Sequence, residues 1–307
     1  PRPSTRAFWR EARRVPGFSW FDLLHGYVYA RWPYLYISIG TGEHWIARRL
    51  APLARWLGRL ITPGGDGQGD GAGGPTFADT YHGKVVTLDA ARQLVSVNQP
   101  VVLRDLERVI PYTRARDIIL RNPDHIAVLE CPCRSARADP CLPLDVCLIV
   151  GEPFAGFIVE HHPRRARAIT SQEAMEILRA EHERGHVSHA FFKDAMLGRF
   201  YAICNCCACC CGAMQAHRAG TPMLASSGYV ARVEAELCAG CGTCAEFCQF
   251  SAIALDGGCA HVDDVACMGC GVCVSHCPQG VIALERDPAK GEPLEIRELM
   301  AHAAHLS

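Results

Sequence analysis

The chain has 307 residues, 49% of them hydrophobic and 21% charged, with a formal net charge of −1. That composition builds two ordinary domains, or one large domain and a module; it excludes wholesale disorder and a bulk attraction to nucleic acid. Nineteen cysteines, set in tight runs and often adjacent, argue against a disulfide framework, because neighbours that close bridge one another only with strain and converge more readily on a metal centre.

Residues 1–61 are basic and aromatic. Arg2, Arg6, Arg10, Arg13, Arg14, Arg31, Arg48, Arg49, Arg55 and Arg59 face only Glu11, Asp22 and Glu43, and every tryptophan of the chain lies here. From His44 to Ile61 the residues Trp45, Leu50, Leu53, Trp56, Leu57 and Leu60 recur at helical spacing, with Pro52 as a kink. Such a helix could lie on a membrane surface, dock on a partner protein, or pack on its own domain. Residues 62–75 are a glycine-rich linker with almost nothing to bury.

Residues 76–228 read as a mixed α/β domain. Tyr112 to Arg121 predicts a short helix stopped before Asn122-Pro123, while His125–Leu129, Val146–Val150 and Phe200–Ile203 predict strands. Thr170 followed by Glu173 predicts a capping box opening a helix that Gly185 ends, with Glu181, Glu183 and Arg184 on a solvated face. In His186-Val-Ser-His189 an extended backbone turns the two rings to opposite faces, which disfavours chelation. No phosphate-binding loop and no nucleophile–His–Asp set can be assembled.

Two groups of cysteines belong to this domain: Cys131, Cys133, Cys141 and Cys147, then Cys204, Cys206, Cys207, Cys209, Cys210 and Cys211. Pro132, Pro140 and Pro143 stiffen the loops around the first group. Cys147 sits in an apolar strand and reads equally as a ligand or as a small core side chain. Adjacent side chains diverge, so the six sulfurs of the second group cannot all meet at one centre; three or four ligate, with help from Cys131, Cys133 or Cys141. One or two further iron–sulfur clusters are preferred over zinc. The Cys-Cys-Gly ending is similar to the cysteine motif of heterodisulfide reductase catalytic subunits, without that family's wider spacing.

Residues 229–287 contain a duplication. Cys238-x2-Cys241-x2-Cys244-x3-Cys248 is repeated as Cys267-x2-Cys270-x2-Cys273-x3-Cys277-Pro278, and each run is followed by a short apolar stretch. This resembles the bacterial two-[4Fe-4S] ferredoxin family over about a fifth of the chain. The resemblance implies a pseudo-twofold ferredoxin-like module in which the last cysteine of each run serves the other cluster. Cys238, Cys241, Cys244 and Cys277 would then hold one cluster, and Cys267, Cys270, Cys273 and Cys248 the second. Gly240, Gly242, Gly269 and Gly271 would bring the backbone close to the clusters. Gln249 stands where the family has proline, which predicts a less rigid turn; Cys259 lies outside the pattern and reads as a free thiol.

Taken together, the expectation is an α+β chain. A basic helical docking segment (1–61) and a linker (62–75) lead into a cysteine-rich α/β domain (76–228), a two-cluster module (229–287) and a C-terminal tail (288–307). Its expected work is single-electron transfer to a redox partner protein or within an oxidoreductase complex. The alternative is a ferredoxin-fused enzyme whose middle-domain cluster reduces a disulfide or another small substrate. Thiolates at this density need a reducing compartment, which points to the cytoplasm, free or at the membrane periphery; neither a signal-peptide pattern nor a membrane-spanning apolar run is visible.

Overall fold

The computed structural model describes residues 1–47, 49 and 77–306. The linker and most of the helix expected between His44 and Ile61 fall outside these residues. Three helices open the chain: α1 (Pro3–Ala12), α2 (Trp20–Arg31) and α3 (Pro33–Gly40). Ser19 caps α2 with a reciprocal box, its hydroxyl accepting from the Asp22 N–H while the Asp22 carboxylate accepts from the Ser19 N–H.

After α4 (Phe77–Thr80), β1 (Tyr81–Val85) and α5 (Leu88–Val95), the chain enters β2 (Val101–Leu103) and the long β3 (Ile118–Glu130). The helix expected at Tyr112–Arg121 is absent. Ala115 sits at φ 52°, which no α-helix contains, and Ile118 and Leu120 point inward as alternate residues of β3, paired with β2. The pattern there has a period of two, not 3.6. Then follow α6 (Pro132–Ser135), β4 (Asp145–Glu152), α7 (Phe154–His161), β5 (Ala166–Ile169), α8 (Ser171–Glu183), β6 (Val187–Lys193), β7 (Arg199–Cys206), α9 (Gly212–Arg218) and β8 (Leu224–Ala225). The expected strands at 125–129, 146–150 and 200–203 lie within β3, β4 and β7.

The eight strands make one sheet in the order β2-β3-β4-β7-β6-β1-β8, with β5 on the free flank of β3; every pairing is antiparallel except β1 with β8. Its middle is buried from both faces, β6 along its whole length. Helix α8 packs on α5 and the sheet, and α7 packs on β3 and β4 with α1 against it, Phe8 meeting Phe154 and Phe157. The first helices thus share the main hydrophobic core. Thr170 caps α8 as expected, but only half of the box forms, because the Glu173 carboxylate pairs with Arg167 at 2.5 Å. Gly185 ends α8 at φ +81°, where a Cβ would also strike the Phe247 ring.

The C-terminal part holds β9 (Tyr229–Val233), α10 (Thr243–Glu246), β10 (Ile253–Asp256), β11 (Cys259–Val262), α11 (Val272–His276), β12 (Ile282–Arg286) and α12 (Ile296–Leu306). Strand β9 pairs with β12 and β10 with β11, both antiparallel, around a small core of their own. Leu294 and Ile296 are buried in the main core, so the last residues close the body of the protein. The fold is α+β with a cysteine-rich middle.

Candidate metal centres

Each tandem cysteine run follows the same backbone course. Gly240 and Gly269 have φ of 62° and 64°, Gly242 and Gly271 both 81°, and a short helix (α10 or α11) begins immediately after. The glycines are needed by close approach as well as by φ. A Cβ on Gly240 would lie 2.3 Å from the Gly258 carbonyl oxygen, and one on Gly269 2.1 Å from that of Tyr229.

These loops enclose two cavities. One, of about 330 Å³, is bordered by Cys238, Cys241, Cys244 and Cys277. The other, of about 340 Å³, is bordered by Cys248, Cys267, Cys270 and Cys273. In both, three cysteines come from one run and the fourth from the other. The rest of each wall is largely apolar, with Ile282 and Leu255 at the first and Phe250 and Ile253 at the second. A thiolate-lined hollow of this kind fits a cubane, which needs four separated sulfurs and a dry surround.

The two cavities differ in setting. Cys241 is exposed, and the Thr243 hydroxyl 3.5 Å away holds its thiol below the ordinary value. Cys270 packs against the main core, burial pushes its thiol up, and burial raises Cys273 to about 12. One cavity therefore faces outward and the other faces the middle domain. Cys259 lies on β11 outside the lining of both cavities, with its thiol next to that of Cys238.

The ten middle cysteines divide into two sets. Strand alternation turns Cys204 and Cys206 of β7 to one side, where Cys147 of β4, Cys131, Cys133 and Cys211 join them. Their thiols touch in succession, Cys204 to Cys147, Cys131, Cys133, Cys211 and Cys206. Together with Cys207 and Cys210 they border a cavity of about 770 Å³, more than twice either of the others. At its far side stand Tyr29, Tyr81 and Tyr201, with the Tyr29 and Tyr201 hydroxyls 2.7 Å apart. The Lys193 ammonium lies 5.0 Å above the Tyr29 ring and 4.9 Å above that of Tyr81, and burial lowers it to about 8.

Beyond the end of β7 the chain turns, and Cys207, Cys209 and Cys210 point instead toward Cys141. The four sulfurs lie within 4.8 Å of one another, with Cys141 and Cys209 3.2 Å apart. Among the described residues no other group of three or more His, Cys, Asp or Glu side chains meets that condition.

Several side chains that the sequence did not single out hold these sets in place. Arg134, next to Cys133, is buried and donates to Glu181 at 2.5 Å, to the Asn205 carbonyl at 3.0 Å and to the Pro143 carbonyl at 2.6 Å. His186 Nδ1 lies 2.7 Å from the same Glu181 carboxylate. Glu181 is thus a buried counterion, not part of a solvated face, because among the described residues Arg134 pairs with no other carboxylate. Glu183 and Arg184 are exposed as expected. His189 is buried elsewhere, its Nδ1–H donating to the Val187 carbonyl, and shares no site with His186. Arg137 donates to the Cys210 carbonyl and to Gln215, whose amide donates to the Cys209 carbonyl. Gln249, beside Cys248, accepts from the Ala208 N–H at 2.9 Å, and its carbonyl accepts from Arg218. The turn that lacks proline is held by these bonds instead. The break from the proline pattern was the one sequence signal that marked Gln249.

A family model described as a 4Fe-4S binding domain matches residues 260–283, the stretch that contains Cys267, Cys270, Cys273 and Cys277. No curated protein matches the chain at a significant level. No helix among the described residues is long and apolar enough to cross a membrane. The chain carries an iron–sulfur module of the ferredoxin type behind a domain with a clustered set of cysteines, a combination suited to electron transfer.

Proposed function

We propose that the chain relays single electrons between a redox partner protein and the middle domain, through two [4Fe-4S] clusters and one further cluster. The observation that carries this reading is the composition of the two small cavities, each walled by three cysteines of one run and the last cysteine of the other. Cys238, Cys241, Cys244 and Cys277 would hold the first cluster; Cys267, Cys270, Cys273 and Cys248 the second. Such clusters supply one-electron chemistry at potentials set by hydrogen bonding and exposure. The chain grades the path itself. The exposed Cys241 end suits a partner protein, and the Cys248 end is tied through Gln249 to the cysteine loop of the middle domain. Of the cysteines around the large cavity, Cys131, Cys133, Cys147, Cys204, Cys206 and Cys211 would supply the ligands of the further cluster. Residues 1–47 would seat the carrier on an anionic lipid surface, through exposed arginines and tryptophans.

Anaerobic iron and sulfide analysis with EPR of the reduced protein tests this. About eight irons are expected from the module and more from the middle domain. Paired substitutions test the exchange of last cysteines. Cys248→Ser with Cys267→Ser should empty one module site, whereas Cys248→Ser with Cys238→Ser should deplete both. The reverse result would refute the exchange.

A second reading is favoured by the size of the large cavity and its tyrosine-lined far side. There, a small substrate would lie beside the cysteines, and the Tyr29 and Tyr201 hydroxyls would hold a proton near it. Oxidation of the reduced protein on adding a small disulfide, absent in Tyr201→Phe, would favour this enzyme over the carrier.

A further inference from the structure

We infer that Cys141, Cys207, Cys209 and Cys210 form a mononuclear tetrathiolate site, binding one tetrahedral metal ion and not an iron–sulfur cluster. The distances decide it. In a tetrahedral site with metal–sulfur bonds of about 2.3 Å the sulfurs lie about 3.8 Å apart. Here the separations are 3.2 Å for Cys141 to Cys209, 3.6 Å for Cys207 to Cys141 and 3.7 Å for Cys209 to Cys210, and all four sulfurs lie within 4.8 Å. A cubane places its own irons and sulfides between the thiolates and spreads them to roughly 6 Å.

The same molecule supplies the contrast. Neither module cavity brings three sulfurs within 4.8 Å, and both leave a hollow of over 300 Å³. Of the four-cysteine set, Cys207 and Cys210 also border the large cavity, while Cys141 and Cys209 are not among its lining. The closeness of the four sulfurs is also imposed from outside. Arg137 grips the Cys210 carbonyl, Gln215 the Cys209 carbonyl, and Gln249 the Ala208 N–H. Anchors on the backbone of each turn position thiolates in the way metal ligands are held by their outer partners.

Four thiolates in a tetrahedron suit zinc or mononuclear iron. Either ion binds as the thiols release their protons, with no change of oxidation state. This inference stands apart from the electron-carrier reading, since a zinc ion here would staple the Cys141 loop to the turn after β7 while iron would add a redox centre.

The test is metal and acid-labile sulfide content of anaerobically purified protein, compared with the Cys209→Ser variant, whose side chain is exposed. Loss of about one metal ion per chain with sulfide and the EPR of the reduced module unchanged is expected. Zinc as the lost ion identifies the staple, and iron the redox centre. As a second measurement, cobalt(II) titrated into metal-free wild-type protein should give the thiolate-to-metal and ligand-field bands of a tetrahedral S4 site, weakened at least tenfold in Cys209→Ser. Loss of about four irons together with four sulfides would overturn the inference. So would an unchanged metal content with a Cys141–Cys209 disulfide found by mass spectrometry.

Discussion

Arg134 carries its charge at 1% exposure, with Glu181, also at 1%, as the carboxylate partner. Two such charges cost desolvation to bury, and their mutual attraction with added hydrogen bonds roughly offsets that cost. Removing one leaves the other uncompensated. Glu181→Ala should therefore destabilise the protein by about 3–5 kcal/mol, seen as a lower denaturant midpoint, whereas Glu183→Ala on the exposed side of α8 should change little. Buried histidines contribute to the response to acid. Burial lowers His82, stacked on Tyr112, and His189 to about 4, and His161 and His182 likewise. An unfolded chain takes up these protons near pH 6.5 and the folded one does not. Stability is then full above about pH 6.5 and falls toward pH 4, by roughly 2–3 kcal/mol per ring. His82→Phe keeps the stack and should flatten that fall, measured by denaturant unfolding at pH 7 and pH 4.5.

Among the elements, the cysteine loops are the most constrained. Gly240 and Gly269 abut backbone, at 2.3 and 2.1 Å from a carbonyl oxygen, while Gly242 and Gly271 meet only the end of a leucine at 3.2 Å. A leucine tip can move and a paired strand cannot. Gly269→Ala should thus abolish cluster retention at the Cys267 run, with visible absorbance reduced and the other cluster kept. Gly271→Ala should cost only the strain of its left-handed backbone, about 1–2 kcal/mol. These loops were legible in the sequence because their chemistry is local: spacing alone brings three sulfurs to one side of a turn. The division of the middle cysteines was not legible, since it depends on β4 pairing with β7, which sets Cys147 opposite Cys204 across 57 residues of chain. Strand alternation in β7 and the turn after Cys206 then decide which sulfurs face which centre. The expected helix at Tyr112–Arg121 failed for a related reason. Ile118 and Leu120 suit either period, and only the partner strand β2 selects one.

At the scale of the whole molecule, the module's Cys270 side and the Gln249 bond weld it to the middle domain, while among the described residues the first helices leave several large apolar side chains exposed. Trp20 is 77% exposed and Phe21 75%, with Leu24 and Trp45 also open to solvent. Arg6 and Arg10 on α1 and Arg13 just after it are exposed as well. On the proposed membrane role, the exposed indole rings would lie among the headgroups of an anionic bilayer and the guanidinium groups would meet phosphate. The carrier should cosediment with vesicles containing phosphatidylglycerol and leave vesicles of phosphatidylcholine alone. Arg6, Arg10 and Arg13 changed to Gln should weaken binding about tenfold or more, each charge near the surface contributing about 1 kcal/mol. Rising salt should act in the same direction. Trp20→Ser with Phe21→Ser should remove a salt-insensitive part, since each ring buried in the interface contributes about 1.5–3 kcal/mol. Binding that ignored lipid charge, or its survival in both variants, would remove the membrane from this picture and leave the surface to a protein partner.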